Sequence, residues 1–267
     1  MCDLSLIRKC FSFVYHLVLK TPIKVVVTIF ALALPTIALS ESSVPSRGSE
    51  MVFGFAEYPP VGITNAQGNP DGYLFRLAEA AIKKLGYQPR LRILPTTRIE
   101  ESLKDGSVNF TILGNSPKRE AFCAVGKLPI FVDELRAIHL SSVPNIKNVQ
   151  DLAGKRIIRM AGYGYGGVLD FLSNKETKTT VEEASTREAG LEMMLNGRAD
   201  YFMDYAGPVA GALSQLNNPN IRAETVYKLD FVVLGAPKNA EGQKMVEQIE
   251  KTLKELQTLP QFKMPKM

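Results

Sequence analysis

Apolar positions along this chain alternate between two periods, and that alternation predicts an α/β fold. Met51–Ala56 is an apolar run stopped by Tyr58-Pro59-Pro60 and reads as a strand. The turn-rich segment Asn65–Gly72 reads as a hairpin. After it Leu74, Ala78, Ala81, Ile82 and Leu85 share one helical face, with Arg76, Glu79 and Lys83 opposite and Gly86 as the stop. Leu91–Leu94 is the next strand. Thr97-x-x-Glu100 has capping-box spacing and predicts a short helix ending at Asp105-Gly106, ahead of a third strand at Val108–Leu113.

The second half repeats the plan. A strand at Lys155–Met160 leads through a glycine run into a helical segment at Val168–Leu172. Ser185-x-x-Glu188 is another capping-box spacing, and a strand at Asp200–Met203 follows the helix stop at Asn196-Gly197. "LKDGSVNFTIL" (103–113) and "MLNGRADYFMD" (194–204) share a helix end, a glycine and an apolar strand. Asn239–Leu259 predicts an amphipathic covering helix with Val246, Ile249, Leu253 and Leu256 inward. Strands alternating with helices of this length imply parallel α/β units, here in two lobes of like topology.

The N-terminus changes the picture. Lys20 and Lys24 precede the apolar stretch Val25–Leu34, and Ala38-Leu39-Ser40 follows as a small-x-small exit. That order predicts a cleavable signal peptide over 1–40, a linker over 41–47 and a periplasmic protein. The run is shorter than the roughly 20 residues of a comfortable membrane span; an uncleaved anchor using the upstream run Phe11–Leu19 is the alternative. The formal charge is +5, but Arg8, Lys9, Lys20 and Lys24 sit in the leader against Asp3 alone. About +2 is left for the rest, too little to imply a nucleic-acid partner.

Cys2 and Cys10 also fall in the leader, which leaves Cys123 alone and excludes an intramolecular disulfide. His139 is the single histidine beyond the leader, so no metal site is expected by the usual ligand rules. Cys123 is expected to be a small buried hydrophobe.

Gly162, Gly164 and Gly167 satisfy G-x-G-x-x-G between a strand and a helix, with Glu182-Glu183 about 20 residues on, as a dinucleotide site would require. Two features argue against NAD and for no cofactor: the leader exports the chain from the cytoplasm, and the motif opens the second lobe rather than the first.

In open parallel sheets ligands bind beyond the carboxyl ends of the strands. The residues there are Glu57-Tyr58, Pro95–Arg98, Gly114–Arg119, Gly162–Tyr165 and Asp204. The set suits a small zwitterion or anion. Arginine forks hold a carboxylate, amides at a helix start add donors, Asp204 can pair with an ammonium, and tyrosines cover an apolar body. The candidate ligand-binding residues are Tyr58, Arg98, Gly114, Ser116, Arg119, Gly162, Tyr163, Gly164, Tyr165 and Asp204, with no catalytic residue among them.

Four segments carry a family resemblance: "FGFAEYPPVGITNAQGNPDGYLFRLAEAAIKKLG", "ILGNSPKREAFCAVGKLPIF", "DLAGKRIIRMAGYGYG" and "GRADYFMD". In this order and spacing the chain resembles the family 3 extracellular solute-binding proteins, receptors of polar amino-acid ABC importers. The resemblance implies a two-lobed, periplasmic-binding-protein-like (type II) fold with a ligand cleft between the lobes. It places lobe 1 at 48–137 with 232–267 and lobe 2 at 138–231, with hinges near Ala137–Leu140 and Leu229–Val233. It implies that Arg119 grips a ligand carboxylate, that Asp204 holds its amine, and that an ABC permease receives the ligand from a monomeric protein. The glycine run then brings amides to a carboxylate.

The departures from the family pattern are Gly114, where a serine or threonine is usual, Arg76, where an acidic residue is common, and Tyr163 after Gly162. Two alternatives share the cleft: a periplasmic dehydratase-like enzyme, for which Glu57 is the available acid or base, and a ligand-sensing partner of a membrane receptor.

Overall fold

A computed structural model of the chain describes residues 44–265. The leader over 1–40 lies outside the described residues, as does the start of the linker.

The first strand, β1 (Glu50–Phe55), runs into a cross-connected turn and the short hairpin β2 (Ile63–Thr64) and β3 (Pro70–Asp71). Gly72 then takes φ 101° with no room for a side chain, since an added Cβ would lie 2.7 Å from the Val61 carbonyl oxygen. That turn aims α1 (Tyr73–Lys84), whose apolar stripe buries Leu74, Leu77, Ala78, Ala81 and Ile82. Lys83 and Lys84 in its last turn suit the negative end of the helix dipole. The half continues through β4 (Gln88–Ile93), α2 (Thr96–Lys104), β5 (Phe110–Gly114), the single turn α3 (Pro117–Glu120) and β6 (Ala124–Val125).

The chain crosses on the ten-residue β7 (Phe131–Leu140). It then builds β8 (Arg156–Met160), α4 (Val168–Leu172), β9 (Thr180–Ala184), α5 (Arg187–Leu195), β10 (Tyr201–Tyr205) and α6 (Ala206–Leu216). It returns on β11 (Ile221–Gly235) and ends in α7 (Ala240–Gln257). The strand order is β4-β1-β5-β11-β7-β10-β8-β9, with β6 also on β11. Both expected parallel units are present, β4-β1-β5 and β10-β8-β9. The sheet is nonetheless mixed, because β7 and β11 are antiparallel to their neighbours. β11 pairs β7 from Ile221 to Phe231, then β5 from Phe231 to Gly235, so one strand ties the two halves together.

The larger core joins both halves. Phe53 packs against Phe75 and Phe110, with ring centres 5.5 and 5.0 Å away, and α7 covers it with Val246, Ile249, Leu253 and Leu256. A smaller cluster under α5 and α6 holds Ile138, Ile158, Leu191, Met194, Phe202 and Val209.

Neither expected capping box forms. α2 begins at Thr96, so its N-cap is Pro95, which has no side-chain acceptor, and Thr97 lies inside the helix; the Glu100 side chain is engaged by Arg119 instead. The cap of α5 is Thr186, not Ser185: its hydroxyl accepts from the Ala189 amide at 3.1 Å. That one-residue shift makes Arg187 the first helical residue. Cys123 is buried as expected, and burial pushes its thiol up to about 12. His139 is also fully buried, held between the Leu140 carbonyl at 2.8 Å and the Glu224 carboxylate. Among the described residues no helix is long and apolar enough to cross a membrane, and no cluster of His, Cys, Asp or Glu is placed to hold a metal.

Candidate functional site

β5 ends at Gly114, and the following turn lifts Arg119 back over the strand end. Its guanidinium donates to the Gly114 carbonyl, and its Nε and Nη2 each lie 3.1 Å from Glu100 Oε1. The Arg119 side chain is only 11% exposed, so its charge faces a partly desolvated space. Lys118, 3.3 Å from the same carboxylate and 75% exposed, adds a solvated cation.

The far wall is aromatic. Tyr205, at the end of β10, has ring centres around it at 5.5 Å (Tyr58), 5.9 Å (Tyr163), 5.3 Å (Tyr165) and 5.6 Å (Phe231). Such tilted and edge-on contacts contribute beyond area burial. The Tyr58 hydroxyl donates to Asp133 at 2.8 Å. The Tyr165 hydroxyl accepts from the Met160 amide at 3.0 Å and donates to the Met203 carbonyl at 2.8 Å. Both hydrogen-bonding roles of Tyr165 are thus used inside the fold, which also holds this residue at φ 49°. Burial pushes the phenols of Tyr58, Tyr165 and Tyr205 well above their usual range, which keeps them neutral. Between these rings, Leu113, Gly114 and Arg119 lies a cavity of ≈ 30 Å³, a volume for about one water.

Below this wall Asp204 is fully buried and meets Arg187, whose side chain is 15% exposed. Arg187 Nε lies 2.7 Å from Asp204 Oδ2, yet the N–H does not point along the contact, so the pair is ionic without a formed hydrogen bond. Asp204 Oδ1 accepts from the Tyr205 amide at 2.8 Å. Burial pushes the Asp204 carboxyl up to about 6, and Arg187 restrains the rise. Unit charges about 4 Å apart interact by about 4 kcal/mol at an effective dielectric near 20. The guanidinium therefore offsets most of the field that Asp204 alone would project.

Tyr163 partitions the cleft. Its hydroxyl donates to the Glu57 carbonyl at 3.4 Å and accepts from Arg187 Nη2 at 3.3 Å. On one side is a cavity of ≈ 390 Å³ lined by Thr96, Glu100, Ser116, Arg119, Arg159 and Gly162 among others. On the other is an open groove of ≈ 720 Å³ that includes Glu57, Thr186, Arg187 and Glu188.

Gly114 has a structural reason. A Cβ there would drive into the Leu229 side chain, and a Cβ on Gly166 would meet the same leucine from the other side. Two glycines thus make room for Leu229, and an aliphatic chain occupies the place where the family pattern offers a hydroxyl. Gly114→Ser should destabilise the protein by about 1–3 kcal/mol through overpacking. The added Leu229→Ala should recover part of that loss, measured by urea unfolding of the single and double variants. Additive losses would mean that the serine side chain finds another space.

Of the residues the sequence pointed to, Tyr58, Gly114, Arg119, Tyr163, Gly164 and Tyr165 line the small cavity, and Ser116 and Gly162 line the larger one. Asp204 lies behind the wall. Arg98 points away, paired with Glu101 at 2.6 Å, and lines none of the three cavities described. In the glycine run the Tyr163 amide bonds to Met160 and the Gly167 amide to Gly164, and the helix that follows has only five residues. Few aligned dipoles stand behind its start. Sequence reading passed over Glu100, Arg187, Tyr205 and Leu229. The signal for Arg187 was its place beside the true cap, Thr186.

Several solved structures share this fold. An ancestral arginine-binding protein bound to arginine is 20% identical with TM-score 0.64, covering 81% of this chain and 95% of its own. Holo ArgBP from T. maritima is 17% identical with TM-score 0.62, over 80% and 93%. A histidine kinase sensor domain with similarity to periplasmic binding proteins is 17% identical with TM-score 0.68, over 81% and 93%. At these identities the likeness shows the fold alone: a two-lobed α/β protein with a ligand cleft. A comparison with curated proteins finds no match. The model of the bacterial extracellular solute-binding proteins, family 3, matches residues 51–263, and the chain belongs to that family.

Proposed function

We propose that the protein captures a small carboxylate-bearing solute, an amino acid or a related acid, and delivers it to an ABC permease in the inner membrane. The observation that carries this reading is Arg119, a nearly buried guanidinium at the edge of a neutral aromatic cavity. Family membership supports solute capture. In this reading lobe 1 is 48–137 with 232–267 and lobe 2 is 138–231. Closure turns about the two long strands, near Ala137–Leu140 on β7 and Leu229–Val233 on β11. The leader places the monomer in the periplasm.

The enzyme alternative needs a free acid or base in the cleft. Glu57 instead holds the Thr64 amide and hydroxyl at 3.1 and 2.7 Å, which is the work of a turn residue. This geometry favours binding without turnover.

The test is a thermal-shift screen of ligand-stripped protein against natural amino acids, small organic acids, polyamines and NAD. A ligand at a hundred times its Kd adds about 2.7 kcal/mol, and each kcal/mol moves Tm by roughly 2–4 °C at this size. At least one carboxylate should raise Tm by about 5 °C or more. A shift with polyamines or NAD alone, or with nothing, would overturn the reading.

A further inference from the structure

We propose that the cleft selects a monocarboxylate with an apolar body and no ammonium, and that Arg187 is the residue that sets this preference. The inference rests on the solute-binding reading above and narrows its ligand class.

Three features converge on it. The buried carboxylate that could receive a ligand amine, Asp204, already has a cation against it, held 2.7 Å away by Arg187 at the start of α5. Arg187 is held in turn through Tyr163, whose hydroxyl accepts from its Nη2. An arriving ammonium would give up its water shell for a site whose net charge is close to zero, and it would face a guanidinium of its own sign. Arg187 itself faces the open groove with Glu57 and Glu188, whereas the small cavity beside Arg119 is bounded by the aromatic wall that covers Asp204 and is apolar. Tyr58, Tyr163, Tyr205, Phe231 and Leu113 line it, and Leu229 packs against both Gly114 and Gly166 beside it. Arg119 is the charged group lining this small cavity, so an anion finds one anchor there; at ≈ 30 Å³ the cavity admits an apolar body against the rings only as the lobes move apart.

Titration calorimetry on the full wild-type chain, stripped of ligand, tests this with matched pairs that differ only in the amine. The pairs are L-phenylalanine with 3-phenylpropionate and L-leucine with 4-methylpentanoate. In each pair that binds, the acid without the amine should bind at least tenfold more tightly. An amino acid that binds as tightly as its partner or more tightly overturns the proposal. If such an amino acid also loses binding in Arg119→Ala, the carboxylate receptor reading stands without it. If no member of either pair binds at millimolar concentration, this proposal falls, while the carboxylate reading stands or falls with the thermal-shift screen. Arg187→Lys, which keeps the ion pair, should keep the preference. Arg187→Gln, confirmed as folded by circular dichroism, should reduce it below threefold. A tenfold preference retained in the folded glutamine variant overturns the role assigned to Arg187.

Discussion

Arg187→Met should lower stability by about 3–5 kcal/mol at pH 8, the usual effect of orphaning one member of a buried ion pair, and by much less at pH 5. The reason lies in Asp204. It is fully buried, and even with Arg187 beside it burial raises its carboxyl to about 6, against about 3.9 for an unfolded aspartate. A group raised in the folded state contributes stability that is full below the unfolded value and is lost as pH rises through the folded value. In the wild-type protein that loss runs from about pH 4 to about 6 and then stops. Removing Arg187 takes away the main influence that restrains the rise, so the variant keeps losing stability above pH 6. The two curves should run parallel below about pH 6, offset by lost packing, and diverge above it. Asp133, the other buried carboxyl near this wall, is present in both proteins and is held by Tyr58, so it cancels in the comparison. Urea unfolding at intervals from pH 5 to 8 measures this directly. A difference that does not change with pH would mean that water reaches Asp204 in the variant.

The parts of this protein that were legible in the sequence are those whose burial is one-sided. α1 and α7 each put apolar residues on a single helical stripe, and the observed elements match the reading to within a residue or two. β1, β5, β8 and β10 are short apolar strands bounded by turn residues, which fixed the alternation. α6 was missed because "AGPVAGALSQL" carries two glycines and a proline and shows no clear stripe. β7 and β11 were recognised only over Ala137–Leu140 and Leu229–Val233; β11 changes partner from β7 to β5 at Phe231 and so has no uniform pattern along its length. The site divides in the same way. Arg119 follows a strand end and announces itself. Arg187 reads as a solvated first-turn residue, and only the shifted cap and the tertiary approach of β10 turn it onto Asp204. Glu100 reads as a capping glutamate, because local spacing carries no record of an arginine brought 19 residues along the chain to meet it.

That Glu100–Arg119 contact leads to the largest expected effect on binding. Arg119→Ala should weaken a carboxylate ligand by roughly 10- to 100-fold or abolish detectable binding, since a hydrogen bond to a charged group is worth about 1.5–3 kcal/mol and a bidentate one more. Folding should be nearly intact: Glu100 is 20% exposed and keeps Lys118 as a partner. Glu100→Gln should act in the opposite direction. In the unliganded protein Glu100 already accepts from the same guanidinium that a ligand carboxylate would use. A carboxylate arriving there must also approach a like charge. The amide keeps the shape and removes that charge, so affinity should rise several-fold, with the gain shrinking at high salt as exposed charges are screened. Calorimetry on the two variants, with the acid found by thermal shift, separates the roles. Retained micromolar affinity in Arg119→Ala would remove the arginine from the clamp. Weaker binding in Glu100→Gln would show that the glutamate positions Arg119 for the ligand rather than competing with it.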